Sequence, residues 1–108
     1  MRGTNLGEFE ELVLLTIGVL KEEAYGVSIK QDIKERTGRN PSIGALHSAL
    51  TRLEKKNFLK SHMEDATSDR RGRRKRYYAL TSFGVKTLKE IYNMRAEMVK
   101  EIPQLAIA

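Results

Sequence analysis

Six cations, Arg70, Arg71, Arg73, Arg74, Lys75 and Arg76, fall within seven residues that hold no acid. The whole 108-residue chain carries a net charge of +6, from 20 Lys and Arg against 14 Asp and Glu. Without those six, 14 cations remain against 14 acids, so the entire excess sits in one segment. Charge focused in this way suits a polyanionic partner better than it suits mere solubility. A solvated loop is the plain alternative, and the run by itself does not separate the two readings.

A second set of residues has the spacing of one helical face: Gly44, Ala45, His47, Ser48, Thr51, Arg52 and Lys55. They are small near the start and basic toward the end. Small side chains allow a helix to approach base edges, and the Ser48 and Thr51 hydroxyls can bond to bases or phosphates. Arg52 and Lys55, one to two turns on, would meet backbone phosphates. Ser42 precedes the run as an N-cap and is expected, with it, to contact DNA. His47 reads first as a surface imidazole and, functionally, as a hydrogen-bond donor to phosphate.

Other chemistry has little to work with. The chain has no Cys and two His, and His62 with Glu64 and Asp65 lacks a third well-spaced metal ligand. No glycine-rich loop follows a strand to cradle phosphates. Neither catalysis nor a metal nor a cofactor is expected. Glu8, Glu10, Glu11, Glu22 and Glu23 read as solvated faces, and His62 as the outer face of a strand. Tyr77 and Tyr78 could stack on single-stranded bases. In a strand of period two, however, at least one points inward, and core packing is the preferred reading.

These residues need elements to position them. Phe9, Leu12, Val13, Ile17 and Leu20 have helical spacing within a first helix over 7–21. Leu14, Leu15 and Val19 fall outside that stripe, so this helix is apolar on more than one side and calls for extra cover. A second helix is expected over 25–37, with Val27, Ile29, Lys30 and Ile33 inward and Gly38 as its C-cap. Asn40 and Pro41 make the turn. A third helix then runs over 42–56, with Ile43, Leu46, Leu50 and Leu53 inward and Asn57 left-handed at its end. Residues 58–63 and 75–80 read as strands joined by a long basic tip.

Thr81 caps a last helix whose Leu88, Ile91, Arg95, Met98 and Ile102 follow steps of three and four, a heptad-like seam ended by Pro103. That seam, with Leu15 and Val19 on the first helix and Tyr92 beside it, is the expected homodimer interface. Arg95 fits there if its stem packs and its head reaches an acid or the rim. The fold class is mainly α with a two-stranded β-wing: a winged helix-turn-helix plus one C-terminal dimerisation helix. It divides into an N-terminal arm (1–6), the winged helix (7–81), and the dimerisation helix and tail (82–108). The absence of Cys suits a reducing interior. The apolar run 12–20 is too short to span a bilayer and follows acids rather than a basic flank, so a soluble, cytoplasmic protein without a membrane partner is expected.

Three stretches, in this order, resemble the PadR family of bacterial transcriptional regulators over nearly the whole chain. They are Tyr25-Gly26-Val27-Ser28-Ile29, then the run from Gly44 to Glu54, then Arg74 to Thr81 with Gly84 and Leu88. The resemblance is to the short-tailed members. It implies a winged helix that binds double-stranded operator DNA as a homodimer through its C-terminal helix, and a repressor whose affinity changes with a small-molecule effector. Two positions depart from the pattern. His47 stands where the family usually has Tyr, and Asn57 where Gly is common. An RNA-binding winged helix and a winged-helix interaction module are the competing readings. A symmetric dimer matches palindromic duplex DNA better than single-stranded RNA, and the module leaves the focused charge unexplained.

Overall fold

The computed structural model describes residues 6–65 and 74–105. Helix α1 (Glu8–Leu20) runs into a 3₁₀ turn (Lys21–Glu23), followed by α2 (Gly26–Thr37), α3 (Ile43–Lys55), strands β1 (Leu59–Met63) and β2 (Arg76–Leu80), α4 (Ser82–Lys100) and a 3₁₀ turn (Pro103–Leu105). This is the expected mainly helical order with a two-stranded wing. None of the described helices is long and apolar enough to cross a membrane.

Local chemistry sets the element ends. Gly38 caps α2 at φ 78, with its N–H on the Lys34 carbonyl at 2.8 Å. Ser42 Oγ accepts from the Ala45 N–H at 3.0 Å to start α3, and Asn57 stops it at φ 70. The Phe58 N–H then returns to the Leu53 carbonyl at 2.9 Å. Thr81 Oγ1 accepts from the Gly84 N–H at 2.9 Å and donates to the Asn57 carbonyl at 2.7 Å. One side chain thus caps α4 and fixes it to the end of α3. Gly84 is obligatory there, since a Cβ would lie 2.3 Å from the Phe58 carbonyl oxygen.

The core is built from Val13, Leu14 and Ile17 of α1, Ile29 and Ile33 of α2, Leu46, Ala49, Leu50 and Leu53 of α3, with Ala24, Phe58, Leu59 and Tyr78. Two expected inward residues are elsewhere: Val27 and Ile43 are exposed. Both are apolar residues in the first turn of their helices, ahead of the point where α2 and α3 close on α1, and both line a groove described below. Leu14, placed outside the inward stripe from its spacing, is fully buried, because the core face is centred on Val13 and Ile17. Glu10, read as solvated, is only 6% exposed.

Strands β1 and β2 pair antiparallel in the register Leu59↔Leu80, Ser61↔Tyr78 and Met63↔Arg76. A third segment joins them. Tyr25 forms an isolated antiparallel bridge with Tyr77, and the Tyr78 N–H donates to the Ala24 carbonyl at 2.9 Å. The wing is therefore anchored by backbone to the residues that open α2. Of the two tyrosines, Tyr78 packs inward and Tyr77 lies edge-on to the Tyr25 ring, centroids 5.6 Å apart.

Helix α4 begins in the shared core, where Gly84, Thr87 and Ile91 are buried. It packs on α1 and β2. Beyond Ile91 every described residue of the chain except half-buried Ala96 is exposed. The radius of gyration is 16.0 Å and the longest extent 57 Å, against about 13 Å expected for a compact domain of this length. The helix ends at Lys100, so Ile102 lies past its last turn rather than on the seam. The residue before a proline disfavours helical backbone, which moves the end ahead of Pro103.

Candidate nucleic-acid interface

Helix α3 buries Leu46, Ala49, Leu50 and Leu53 and turns its other side outward. Gly44, Ala45, His47, Ser48, Thr51, Arg52 and Lys55 are all exposed. Ser42, also exposed, uses one lone pair for its cap and keeps its hydroxyl proton for another acceptor. The side chains of His47, Ser48, Thr51 and Lys55 have no hydrogen-bond partner among the described residues. They form an outward row of donors and acceptors along α3.

Arg52 differs. Its Nε donates to Glu10 Oε2 at 2.7 Å, and the Lys56 ammonium lies 3.6 Å from Glu10 Oε1. Burial would raise the Glu10 carboxyl above its ordinary value. The Arg52 hydrogen bond, the Gly7 N–H at 3.1 Å and the charges of Lys56 and Arg52 outweigh it, and the net shift is downward. Arg52, expected as a free phosphate contact, is held at one nitrogen by α1. Its side chain remains 52% exposed, and its terminal amino groups have no partner among the described residues. The sequence reading missed this pair because Arg52 lies 42 positions on; Glu11, also read as solvated, is likewise half-buried and paired, with Arg95.

The wing base stands beside α3. A groove of about 480 Å³ is lined by His47 and Thr51 of α3, by Arg74, Lys75 and Arg76, and by Tyr25, Val27 and Ile43. Lys75 places its ammonium 4.1 Å from the centre of the Tyr25 ring, a cation–π contact that leaves the charge at the groove. Arg76 donates to Ser61 Oγ at 3.0 Å, and Ser61 donates to Glu54 Oε2 at 2.7 Å. Arg74 reaches the Glu64 carbonyl at 3.4 Å. Burial pushes the Tyr78 phenol beneath them upward, opposed by Arg76 and reinforced by Glu54. Arg70, Arg71 and Arg73 lie outside the described residues. The structure thus brings the second half of the basic run to the outward face of α3. Tyr25, a contributor the sequence reading did not single out, was detectable only through pairing with Tyr77, 52 positions on.

The expected dimer residues divide. Leu15, Val19, Tyr92, Met98 and Ile102 are exposed, Tyr92 at 70%. Leu88 is half-buried against the core and Ile91 is buried, so both find cover within their own chain, whereas the seam reading assigns that cover to a second copy. Their seam position faces α1 before it faces outward. Arg95 reaches an acid, as its place on an apolar seam requires: its terminal nitrogen lies 3.1 Å from Glu11 Oε1 on α1.

Comparison with known proteins gives a consistent result. Residues 14–90 match the model of the transcriptional regulator PadR-like family. An uncharacterized protein of Lysinibacillus sphaericus is 34% identical over 101 residues, covering 92% of this chain and 87% of that protein. Among solved structures, a PadR-like transcription factor from Bacteroides fragilis is 28% identical with a TM-score of 0.75, over 91% of this chain and 89% of that one. A PadR family transcription regulator from Clostridium difficile is 30% identical with a TM-score of 0.69, over 87% and 93%.

Proposed function

Because the chain belongs to the PadR-like family of transcriptional regulators, we propose that it binds duplex DNA sequence-specifically as a homodimer and acts as a repressor. The observation that carries this reading is the groove in which wing cations Arg74, Lys75 and Arg76 stand beside the outward face of α3. A helix with small and hydroxylic residues at its N-terminal face can enter a major groove, with Ser48 and Thr51 at base edges. Lys55 and the terminal amino groups of Arg52 then meet phosphates, and the wing follows the adjacent backbone. Arg70, Arg71 and Arg73 precede Arg74, Lys75 and Arg76 in the same run of sequence. Two such surfaces related by a two-fold axis match a palindromic site. The exposed residues Leu15, Val19, Tyr92 and Met98 supply the apolar face for that axis. Release by a small-molecule effector fits the same reading.

The test is the salt dependence of binding to an enriched duplex and to random duplex. Each neutralised phosphate contributes about 0.9 to the slope of log affinity against log salt. Neutralising Arg70, Arg71, Arg73 and Arg74 together should lower the slope by several units and weaken both duplexes alike. Replacing Ser48 or Thr51 should instead cost roughly 1–3 kcal/mol on the enriched duplex alone. A folded wing variant with an unchanged slope would sink the reading.

A further inference from the structure

A second cleft, of about 460 Å³, lies between the end of α1 and the sheet. Its volume is within the range of small-molecule sites. Ile17, Gly18 and Leu80 give it apolar walls. Gly18 keeps it open, since a Cβ there would come within 3.1 Å of Leu80 Cδ1. His62 and Tyr77 line it as a stacked pair, with centroids 5.8 Å apart and planes at 22°. Lys21 and Glu22 complete the lining. Neither side chain has a hydrogen-bond or ion-pair partner among the described residues. Lys21 also holds φ 56 with ψ −124, a conformation that disfavours any side chain and that glycine would relieve.

We propose that this cleft is an effector site for a neutral planar aromatic molecule of one or two rings bearing an N–H or O–H donor. The proposal rests on the regulator reading above. A flat ring stacks on the His62–Tyr77 pair. Its donor reaches the Glu22 carboxylate, and the Lys21 ammonium meets its π-face. A ligand with net charge gains from one of these two groups and is repelled by the other. The cleft communicates with the DNA groove through contacts already described. Tyr77 lies edge-on to Tyr25, Tyr25 carries the Lys75 ammonium on its face, and Tyr78 lines both hollows. Occupancy that moves Tyr77 therefore moves the Tyr25 ring and the cation that it positions for DNA.

Indole is the probe, with 1-methylindole and benzoate as comparators. In amide NMR of the full chain, indole should produce saturable shifts at Gly18, Lys21, His62 and Tyr77. Methylation of the ring nitrogen should weaken binding at least fivefold, and benzoate should bind more weakly still. His62→Ala, at an exposed position, should lower indole affinity at least fivefold with the melting temperature unchanged. Lys21→Gly should raise the melting temperature while weakening indole, which a purely structural role for Lys21 would not do. Indole should change affinity for an enriched duplex at least threefold, and the duplex should change indole affinity by the same factor. Shifts confined to Leu15, Tyr92 and Met98, or tighter binding of benzoate, would overturn the site. Bound indole without any change in DNA affinity would overturn its regulatory role. Failure to bind duplex DNA in the absence of indole would sink the regulator reading and leave the NMR result intact.

Discussion

Glu10 of α1 and Arg52 of α3, 42 positions apart, are joined by a 2.7 Å ion pair whose acid is buried and whose base is half in solvent. Helix α3 is thereby held to α1 by the same residue that presents charge outward. Because the Glu10 carboxyl is held below its ordinary value of 4.5, the unfolded chain binds a proton there that the folded chain refuses. Its contribution is complete above that value and is lost as pH falls through the lower folded value. Glu10→Gln should therefore cost about 1–3 kcal/mol near neutrality. It should also flatten the decline of stability as pH falls from neutrality to below the ordinary value of 4.5. Thermal melts by circular dichroism across that range check both signs. A parallel decline in the two proteins would show that Glu10 titrates normally.

Gly44 allows a substitution with opposed effects. A Cβ there meets nothing within 4 Å, and alanine in place of a helical glycine adds about 0.5–1 kcal/mol of stability. The same methyl would project from the outward face of α3 where it is to approach DNA. Gly44→Ala should raise the melting temperature and weaken an enriched duplex by roughly 1 kcal/mol. Unchanged DNA affinity would mean that the first turn of α3 stands clear of the duplex.

Gly84 should show no such split. Its missing Cβ faces the Phe58 backbone at 2.3 Å, and backbone cannot rotate away as a side chain can. Gly84→Ala should destabilise by about 2 kcal/mol, or roughly 10 °C in Tm. A melt within 2–3 °C of the parent, roughly half a kcal/mol, would contradict the close packing of α4 on the end of α3.

The exposed half of α4 should give a measurable oligomeric consequence. Met98→Asp places a carboxylate at an exposed apolar position of the surface proposed for the dimer, which also takes in Leu15, Val19 and Tyr92. It should raise the dimer dissociation constant at least tenfold, ~1.4 kcal/mol, by sedimentation velocity at micromolar concentration. Ile91 is unsuitable for this test, since its burial within the chain would confuse unfolding with dissociation. A folded monomer for the parent chain would refute the dimer.

Much of this organisation was legible from residue order because it is periodic or local. The Ser42 and Thr81 caps, Gly38, Asn57 and the two strands depend on neighbours a few positions away, and the structure has each where expected. Val27 and Ile43 were misplaced because apolar spacing cannot distinguish a core from the lining of a groove. Glu10 was misplaced because its burial is set by Arg52 and Lys56, which only the folded arrangement of α1 and α3 brings near. Arg74, Lys75 and Arg76 were recognisable as a charge run. Their position beside His47 and Thr51 follows from strand register, and nothing in the composition encodes that.

The hydrogen bond from the Tyr78 N–H to the Ala24 carbonyl has a temporal consequence. A hairpin held only by its own two strands can fray on its own, and its amides exchange with solvent on that local timescale. Here the amide at the root of the wing faces the other way, into the segment that opens α2. It exchanges only when the loop of chain from Ala24 to Tyr78, holding all of α2 and α3, comes apart. The Tyr78 amide should thus outlast those of Lys60 and His62 by the margin between local fraying and near-global unfolding. Its exchange rate is a clock for α3 and the wing as one unit.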